Sequence, residues 1–391
     1  MGEGTLAWLR DRNRARVLNA LRERGRLSQA EIARATGLSR TTVHSLVAEL
    51  KADGVVAELD GATDERGAGR PGVRLVLRDA ERAVLGIDFG HSHVQVAVAD
   101  MSRNIVAEGR CDLDVNHRAI EALDTATRIA GEQLAIARLE RGSVVGVGIG
   151  IPGPVDRERG TAGSATILPD WVGLRIADEM EQRLGLAVEI ENDANLGALA
   201  ELTWGAGRGS LNFAYIKAAT GIGAGLVIDG RLLHGVSGTA GEIGHTTLDE
   251  AGLLCYCGNR GCLETVASGP AITKLVANGA GELPTLASVI ERAVDGDLRC
   301  RRAISDAGRE MGVAVAGLCN LINPERVIIG GQLSRAGELL LGPLRASLER
   351  HAVQAAAEKV EVVAAHFVER SELLGAVALA LQGTATRRIS I

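Results

Sequence analysis

The chain has 391 residues and a formal net charge of −6, and its 46% hydrophobic and 24% charged residues are ordinary for a soluble protein of two or three domains. Aromatic residues make up only 2%, which argues against a protein that stacks the bases of single-stranded nucleic acid. The first residues lack the apolar core of a signal peptide, and charges or glycines interrupt every apolar run, so we expect a cytoplasmic protein without a membrane partner.

Charge is distributed unevenly along the chain. Residues 1–79 hold 14 Lys and Arg against 11 Asp and Glu, a net charge of +3, whereas residues 80–391 carry −9. A basic first part on an acidic remainder indicates that only the first part meets a polyanion. We therefore expect a DNA-binding domain at 1–79 and a separate body at 80–391.

Two short helical patterns near the N-terminus are separated by the sequence ATGLS. Ser28 and Glu31 form a capping box before the first pattern, and Gly37 stands where the turn between two helices needs special dihedral angles. Val43 and Leu46 would bury the second helix, which completes the spacing of a helix-turn-helix. The open face of that second helix would meet the major groove of a double-stranded DNA operator. The residues expected there are Arg40, Thr41, Thr42, His44 and Ser45.

The run that follows Gly54 alternates like a β-hairpin around a glycine-rich tip and predicts the wing of a winged helix. Arg66 and Arg70 lie in this tip, in the sequence ERGAGRPG. Arginines on such a loop suit insertion into a narrow, A·T-rich minor groove. The alternative is a generic helical hairpin with an Arg-rich loop, but the spacing, the caps and the wing together favour DNA binding.

From Val84 onward, short apolar strands alternate with longer Ala- and Leu-rich helical patterns, which predicts an α/β fold. The order strand, Gly-containing turn, strand, turn and strand occurs twice, at 84–109 and at 213–235. We therefore expect two related lobes that face each other across a cleft. Lobe one would cover about 84–195 with a C-terminal helix at about 372–382, and lobe two would cover about 196–371.

Six motifs in the body occur in an order that resembles the ROK family of repressors and sugar kinases. They are GIDFG, GVGIGIPGPVD, ENDAN, TGIGAG, GEIGH and CYCGNRGCLE. The resemblance covers nearly the whole chain and implies an actin-like, ribonuclease-H-like ATPase fold for the body. The family's plain sugar kinases lack a winged helix, so the N-terminal domain implies a place among its transcriptional regulators.

A cluster of cysteines and one histidine indicates a metal site. The four donor side chains are His245, Cys255, Cys257 and Cys262. Three thiolates and one imidazole are the donor set of a closed, tetrahedral, structural Zn²⁺ site, and Gly258 and Gly261 would let the short loop fold back. Three buried thiols and an ordinary histidine are the alternative. Clustering in a chain expected to be cytoplasmic favours the metal, and the similar zinc motif of the family strengthens that interpretation.

Acidic and amide side chains in three of the motifs suit a polyhydroxylated ligand, because each sugar hydroxyl both donates and accepts hydrogen bonds. The candidate sugar-binding residues are Asn192, Asp193, Glu242, His245 and Glu264. The resemblance implies that these positions hold a sugar ring and that Asp193 occupies the place of the kinases' general base. His245 would bind the metal with one nitrogen and face the sugar with the other. An acidic pair of loops and a helix cap are the alternative.

The turn after Asp88 departs from the phosphate loop of the family's kinases, which reads Asp-x-Gly-Gly-Thr-Lys. Here Gly90 is followed by His91, Ser92 and His93, so the second glycine and the lysine are both replaced. The change adds a side chain where backbone would approach a phosphate and removes a positive charge. The sequence assigns no role to the two histidines.

The second phosphate loop is also altered, because Ala219 stands where the kinases usually have glycine. Phosphoryl transfer depends on positioning and charge neutralisation, so we predict that the chain is not an enzyme. Asp193 would be catalytic only if the alternative, an ATP-dependent hexose kinase with residual or full activity, holds.

These patterns predict a sugar-responsive regulator, most simply a repressor, that is a homodimer or homotetramer and reads a pseudo-palindromic operator with two winged helices. The effector would be a sugar or sugar derivative, whether a free monosaccharide, a phosphorylated sugar or an oligosaccharide. A DNA-binding protein whose body serves only for dimerisation remains a third possibility.

Overall fold

The structure, a computed structural model, describes residues 3–52, 55–59, 73–77, 82–157, 159–162, 166–277 and 283–387. The chain divides into two units. The first unit contains Met1–Val84, Val98–Ala107 and Leu134–Val145, and the second contains Leu85–Ala97, Glu108–Gln133 and Gly146–Ile391.

The N-terminal part of the first unit has three helices and a two-stranded sheet. These elements are α1 (Glu3–Arg24), α2 (Gln29–Thr36), α3 (Arg40–Ala52), β1 (Val56–Leu59) and β2 (Arg74–Leu77). The strands pair antiparallel, with Val56 opposite Leu77. Apolar side chains from the helices and the hairpin share one core, which includes Val17, Ile32, Val43, Leu50 and Leu75. The predicted helix-turn-helix and hairpin are therefore both present.

Local chemistry explains the bounds of α2. The Ser28 side chain accepts a hydrogen bond from the Glu31 backbone N–H, and the Glu31 carboxylate accepts one from the Ser28 backbone N–H, which completes the predicted capping box. Gly37 ends the helix with a φ of 67°, a left-handed conformation that glycine adopts without strain.

The body begins with a five-stranded sheet, whose first strands come from the motif around Asp88. In chain order, the strands of this region are β3 (Ala83–Gly90), β4 (His93–Asp100), β5 (Ile105–Asp112), β6 (Val144–Ile151), the short pair β7 (Val155–Asp156) and β8 (Thr161–Ala162), and β9 (Val188–Asn192). The order in the sheet is β5-β4-β3-β6-β9, and β7 pairs with β8 alone.

A second five-stranded sheet repeats the same order. Its strands are β10 (Phe213–Ala218), β11 (Ile222–Ile228), β12 (Arg231–Leu232), β13 (Arg326–Gly330) and β14 (Glu361–Ala364). They are arranged β12-β11-β10-β13-β14, so three successive strands and two later ones take equivalent places in both sheets. The repeated pattern that the sequence contains at 84–109 and 213–235 is therefore a repeat of sheet topology. The bounds of the two predicted lobes stay a prediction.

Ten helices within the described residues accompany these sheets. They are α4 (Ala119–Ile136), α5 (Ile176–Leu184), α6 (Asp193–Thr203), α7 (Glu264–Ala267), α8 (Gly269–Val276), α9 (Leu286–Val294), α10 (Leu298–Ile322), α11 (Glu338–His351), α12 (Gln354–Ala357) and α13 (Ser371–Arg387). The predicted α/β class, with an N-terminal winged helix-turn-helix, is confirmed.

Helix α6 positions the candidate site. It begins directly after β9, and it packs against α13 and against β10 and β11 of the second sheet. Nearly every side chain from Ala194 to Glu201 is buried as a result. Packing against α13, β10 and β11 therefore fixes the position of Asp193, the first residue of the helix.

Within the described residues, no helix combines the length and the apolar character that crossing a lipid bilayer requires.

Candidate functional sites

Helix α3 exposes the face that the sequence predicts for DNA. Of the five predicted residues, Arg40, Thr41, His44 and Ser45 are exposed and Thr42 is half-buried. Val43 and Leu46, by contrast, are 0% and 3% exposed, because they pack the opposite face of α3 against the core. Ser39 accepts a hydrogen bond from the Thr42 backbone N–H at 3.1 Å and so caps the helix. A polar face at a capped helix N-terminus is the form in which a recognition helix meets a major groove.

Neighbouring side chains order part of this face. His44 Nδ1 lies 3.2 Å from Gln29 Oε1 on the preceding helix, and Ser45 Oγ donates to Glu49 Oε1 at 3.4 Å. The other predicted DNA contacts, Arg66 and Arg70 in the wing tip, lie outside the described residues.

The four predicted metal ligands come together. One ligand atom from each of them lies within 4.8 Å of all the others, and the four residues are His245, Cys255, Cys257 and Cys262. The Sγ atoms of Cys257 and Cys262 are 3.7 Å apart, and Cys255 Sγ is 3.6 Å from His245 Nδ1. Zinc–sulfur bonds of about 2.3 Å in a tetrahedron place two sulfurs roughly 3.8 Å apart. The donor set and its spacing therefore fit a tetrahedral metal ion.

The loop that carries the cysteines folds back on itself as predicted. Cys255 N donates to Asn259 O at 2.7 Å, and Gly258 N donates to Cys255 O at 3.0 Å. Gly261 has a φ of 60°, and a Cβ there would overlap the Asp249 carbonyl oxygen. Only glycine fits that position, so the return of the chain toward Cys262 depends on it.

The second nitrogen of His245 faces away from the sulfurs. Its Nε2 lies 3.2 Å from the Tyr256 hydroxyl and 3.8 Å from Glu242 Oε2. The ring of Tyr256 also packs edge-on against the His245 ring, with centroids 5.2 Å apart. His245 thus connects the cysteine cluster to a candidate sugar residue, and Tyr256 is a neighbour of both that the sequence analysis missed.

Three candidate sugar residues form an acidic group. Burial raises the pKa of Glu242, and the nearby carboxylates of Asp193 and Glu264 raise it further. Burial also raises the pKa of Tyr256, as does the adjacent Glu264. One oxygen of Glu264 accepts a hydrogen bond from the Ile222 backbone N–H at 3.0 Å. The carboxylates of Asp193, Glu242 and Glu264 therefore influence one another electrostatically.

Asn192 has a different environment from the acids. Its Oδ1 accepts hydrogen bonds from the backbone N–H groups of Ala194 and Asn195, at 2.8 and 3.3 Å, and so caps α6. Its Nδ2 donates to Gly153 O at 2.7 Å. The side chain supports the helix that presents Asp193, and one amide hydrogen remains for another acceptor.

A lysine that the sequence analysis did not single out lies against Asp193. Lys217, near the end of β10, donates from Nζ to Asp193 Oδ2 at 2.8 Å and to Glu372 Oε1 at 2.7 Å. Burial alone would lower the pKa of Lys217, but the two carboxylates outweigh it and raise that pKa well above its usual value. The candidate site therefore contains a half-buried ammonium.

A second buried charge precedes the capping asparagine. Glu191 is 2% exposed, and its Oε2 lies 2.7 Å from His234 Nε2 and 3.6 Å from Arg157 Nε. Burial raises the pKa of Glu191, but the hydrogen bonds from His234 and Asn195 outweigh burial and lower it. His234 and Arg157 are 43 and 34 positions away from Glu191 in the chain. No local pattern in the sequence indicates that they pair with it.

The two histidines of the first turn have partners. His93 Nε2 is 3.0 Å from Asp88 Oδ2, and its ring lies where a Cβ on Gly90 would be. His91 Nδ1 is 2.9 Å from Asn116 Oδ1. The space beside Gly90 is thus filled by an imidazole, and the buried carboxylate of Asp88 is engaged by it.

The family models that match the chain agree with these features. The ROK family model matches residues 84–383, and the model for winged helix-turn-helix DNA-binding domains matches residues 10–57. The two matches cover the body and most of the described N-terminal helices.

The chain is similar to both repressors and kinases. It is 31% identical to the xylose repressor of Caldicellulosiruptor bescii, over 97% of this chain and 98% of that protein. It is 36% identical to the glucokinase of Thermotoga maritima, but over 76% of this chain and 96% of the kinase. Among solved structures, a ROK family transcriptional regulator described as a homologue of the Escherichia coli Mlc protein has a TM-score of 0.79 and 25% identity. That match covers 98% of this chain and 100% of the other.

Proposed function

This chain belongs to the ROK family, and we propose that it is a sugar-responsive, DNA-binding transcriptional repressor. The observation that carries the proposal is the pairing, in one chain, of an exposed α3 face with a ROK body that contains the acidic group of Asp193, Glu242 and Glu264. The xylose repressor resembles the chain over both parts, whereas the glucokinase resembles the body alone.

DNA binding is assigned to α3 and the wing. Arg40, Thr41 and His44 would reach base edges or phosphates in the major groove, with Thr42 and Ser45 beside them. Arg66 and Arg70 of the wing would enter the adjacent minor groove. Two copies on a twofold axis, in a homodimer or homotetramer, would read half-sites separated by whole helical turns.

The ligand of the body is proposed to be a sugar held by Asp193, Glu242, His245 and Glu264, with Asn192 supporting from the helix cap. The acids accept hydrogen bonds from hydroxyl groups, and His245 contributes the nitrogen that faces Glu242. We assign Zn²⁺ to the His245 and cysteine cluster as a structural ion. Bound there, the ion would fix the tautomer and orientation of His245 and hold the loop that carries Tyr256.

Coupling between the two functions requires only a modest free energy. A ligand that favours one arrangement of the body shifts operator affinity by tens of fold when the coupling is about 1–3 kcal/mol. We propose that the sugar weakens operator binding, as in a repressor that is released by its effector, and that the protein acts in the cytoplasm.

The glucokinase relatives support a second candidate, an ATP-dependent sugar kinase with Asp193 as the base. Two contacts argue against it. His93 occupies the space beside Gly90 and binds Asp88, and Lys217 donates a hydrogen bond to Asp193 Oδ2. The first contact fills space in the turn that corresponds to the kinases' phosphate loop, and the second occupies one of the two oxygens of the candidate base.

Two measurements on the purified full-length protein test the proposal. The first is operator affinity, measured by fluorescence anisotropy on the DNA upstream of the protein's own gene with unrelated DNA as competitor. The second is a thermal-shift screen against a sugar panel of D-xylose, D-glucose, D-mannose, D-glucosamine, N-acetyl-D-glucosamine and their phosphates. We expect specific DNA binding, and at least one panel sugar that both raises Tm and lowers operator affinity.

Two outcomes would contradict the proposal. Failure to bind the upstream DNA in preference to competitor would remove the repressor function. Sugar-dependent release of ADP from ATP at more than about 1 s⁻¹, the low end of ordinary enzyme turnover, would favour the kinase instead.

A further inference from the structure

Lys217 connects three separate elements of the body through two ion pairs. It lies on β10, whereas Asp193 is the first residue of α6 and Glu372 is in the first turn of α13. The three side chains are 20%, 17% and 13% exposed, in the order Lys217, Asp193, Glu372. The network is therefore largely enclosed by protein and keeps a small exposed fraction.

The chain uses lysine sparingly, which makes this position informative. Only four of its 43 basic residues are lysines, and the others are arginines. A compact ammonium with three donors can bridge two carboxylates at one point, whereas a guanidinium fork needs a wider space. Lys217 bridges two carboxylates in this way, since its Nζ lies less than 3 Å from both Asp193 Oδ2 and Glu372 Oε1.

Charge balance explains why the ammonium is needed. Two more carboxylates lie in this region. Asp88 raises the pKa of Glu372. Asp193 raises the pKa of Glu242. Without a cation, a partly buried group of carboxylates would take up a proton. Among the described residues, Lys217 is the one side chain seen to bond Asp193, and it uses only Oδ2.

We propose that Lys217 is the positioning residue of the sugar site, which fixes Asp193 through Oδ2 and leaves Oδ1 to accept a hydrogen bond from a sugar hydroxyl. This inference rests on the proposed sugar-sensing function and adds a residue to it. The same ammonium ties the sugar-facing carboxylate to α13 through Glu372. A hydroxyl group that binds Asp193 therefore acts on the start of α13 through Lys217 and Glu372.

The test compares Lys217→Met, Asp193→Asn and the double variant, with Lys274→Met as the matched control. Lys274 is an exposed lysine on α8. The ligand is the member of the sugar panel that binds the wild-type protein most tightly, and its Kd is measured by calorimetry at pH 6, 7 and 8. Operator affinity without sugar is measured for each variant, so that loss of the fold is recognised.

We expect Lys217→Met to weaken sugar binding at least tenfold while operator binding stays within twofold of wild type. The loss should be larger at pH 6 than at pH 8, because a group of carboxylates that has lost its cation takes up a proton more readily in acid. In the Asp193→Asn background, Lys217→Met should change Kd by less than threefold, since the group that it positions is gone. Lys274→Met should behave as wild type.

Three results would overturn the inference. The first is unchanged sugar affinity in Lys217→Met. The second is an equal loss of affinity in the wild-type and Asp193→Asn backgrounds, and the third is a loss that does not depend on pH. The last two results would indicate a general structural role. A wild-type protein that binds no sugar of the panel would instead overturn the proposed function, and the inference with it. Loss of operator binding in Lys217→Met would also count against positioning, because it indicates a general structural role.

Discussion

His93 and Asp88 are joined across the first turn of the first sheet, with the imidazole Nε2 3.0 Å from the carboxylate Oδ2. Asp88 is only 5% exposed, so its carboxylate has little contact with water. The contact fills the space beside Gly90 with a ring, where the kinases of the family have a glycine and a lysine. The turn therefore engages the Asp88 carboxylate with a side chain of the protein itself.

The first prediction concerns nucleotide binding. We expect the wild-type protein to bind Mg·ATP with a Kd no tighter than about 1 mM, which corresponds to only about 4 kcal/mol of binding free energy. The reason is that His93 occupies the turn and engages Asp88. Calorimetry with a non-hydrolysable ATP analogue checks this, and the His91→Gly/His93→Lys variant, which restores the kinase pattern, should bind more tightly. Micromolar affinity in the wild type would contradict the expectation.

The second prediction concerns the metal. Cys257→Ser removes one of four ligands, so we expect zinc content to fall from about one ion per chain to well below that, and Tm to decrease. Metal analysis by plasma emission spectroscopy and differential scanning calorimetry measure both effects. Cys111→Ser, a change at a half-buried cysteine outside the cluster, is the control and should keep its zinc. Zinc content that is the same in Cys257→Ser and wild type would show that the cluster is not the site.

The third prediction concerns the recognition helix. Arg40→Ala should lower operator affinity at least fivefold, about 1 kcal/mol, because a contact to a base or phosphate is lost. If the contact is to a phosphate, the slope of log K against log salt should become shallower by about 0.9. Anisotropy titrations at several salt concentrations give both values. Arg301→Ala, at an exposed position of α10, serves as the charge-matched control. Equal affinity of Arg40→Ala and wild type would exclude Arg40 from the interface.

The fourth prediction concerns the stability of the N-terminal domain. Ser28→Ala removes the side chain that caps α2, and we expect the free energy of unfolding of this domain to fall by about 1 kcal/mol. Urea denaturation followed by circular dichroism provides the measurement. Thr41→Ala, an exposed change in α3, should leave stability unaltered or slightly raised. A cap variant that is as stable as wild type would mean that water replaces the Ser28 hydroxyl without cost.

The fifth prediction concerns pH. Because hydrogen bonds lower the pKa of the buried Glu191 below its ordinary value of 4.5, its contribution to stability is present above that pH and is lost as pH falls through the lower, folded-state value. His234→Gln removes one of the hydrogen bonds that lower the pKa of Glu191, so the variant has less of the stability that acidification takes away. The variant should therefore be less stable than wild type at neutral pH and lose less stability as the pH falls below 4.5, which urea denaturation between pH 3 and 7 would reveal. Superimposable pH profiles would show that His234 does not stabilise the Glu191 carboxylate.

Local patterns in the sequence were sufficient for much of the fold and part of the site. The capping box of Ser28 and the turn at Gly37 depend on neighbours within a few residues, and the cysteine cluster depends on one loop. These features follow from spacing alone, and the structure contains them. The repeat of strand order is likewise visible in the sequence, because each half begins with the same succession of strands and turns.

The remaining contacts could not be read from local patterns. Lys217 and Glu372 are 155 positions apart, and they meet only because β10 and α13 both pack against α6. The same holds for Glu191 and His234, whose pairing depends on the placement of a loop after β12. Sequence spacing also gave no partner for His91 or His93. Asn116 approaches His91 from a loop 25 positions away, and His93 on β4 reaches back to Asp88 on β3.

The shared strand order of the two five-stranded sheets has a consequence for the ancestry of the chain. A unit of three consecutive strands followed by two later ones, present twice in one polypeptide, is what duplication of an ancestral gene segment leaves behind. On that view the turn at His91 and the turn at Thr220 are copies of one original turn, since each joins the first two strands of its sheet. After duplication each copy could change independently, which is why the first turn can carry His91 where the second carries Gly221.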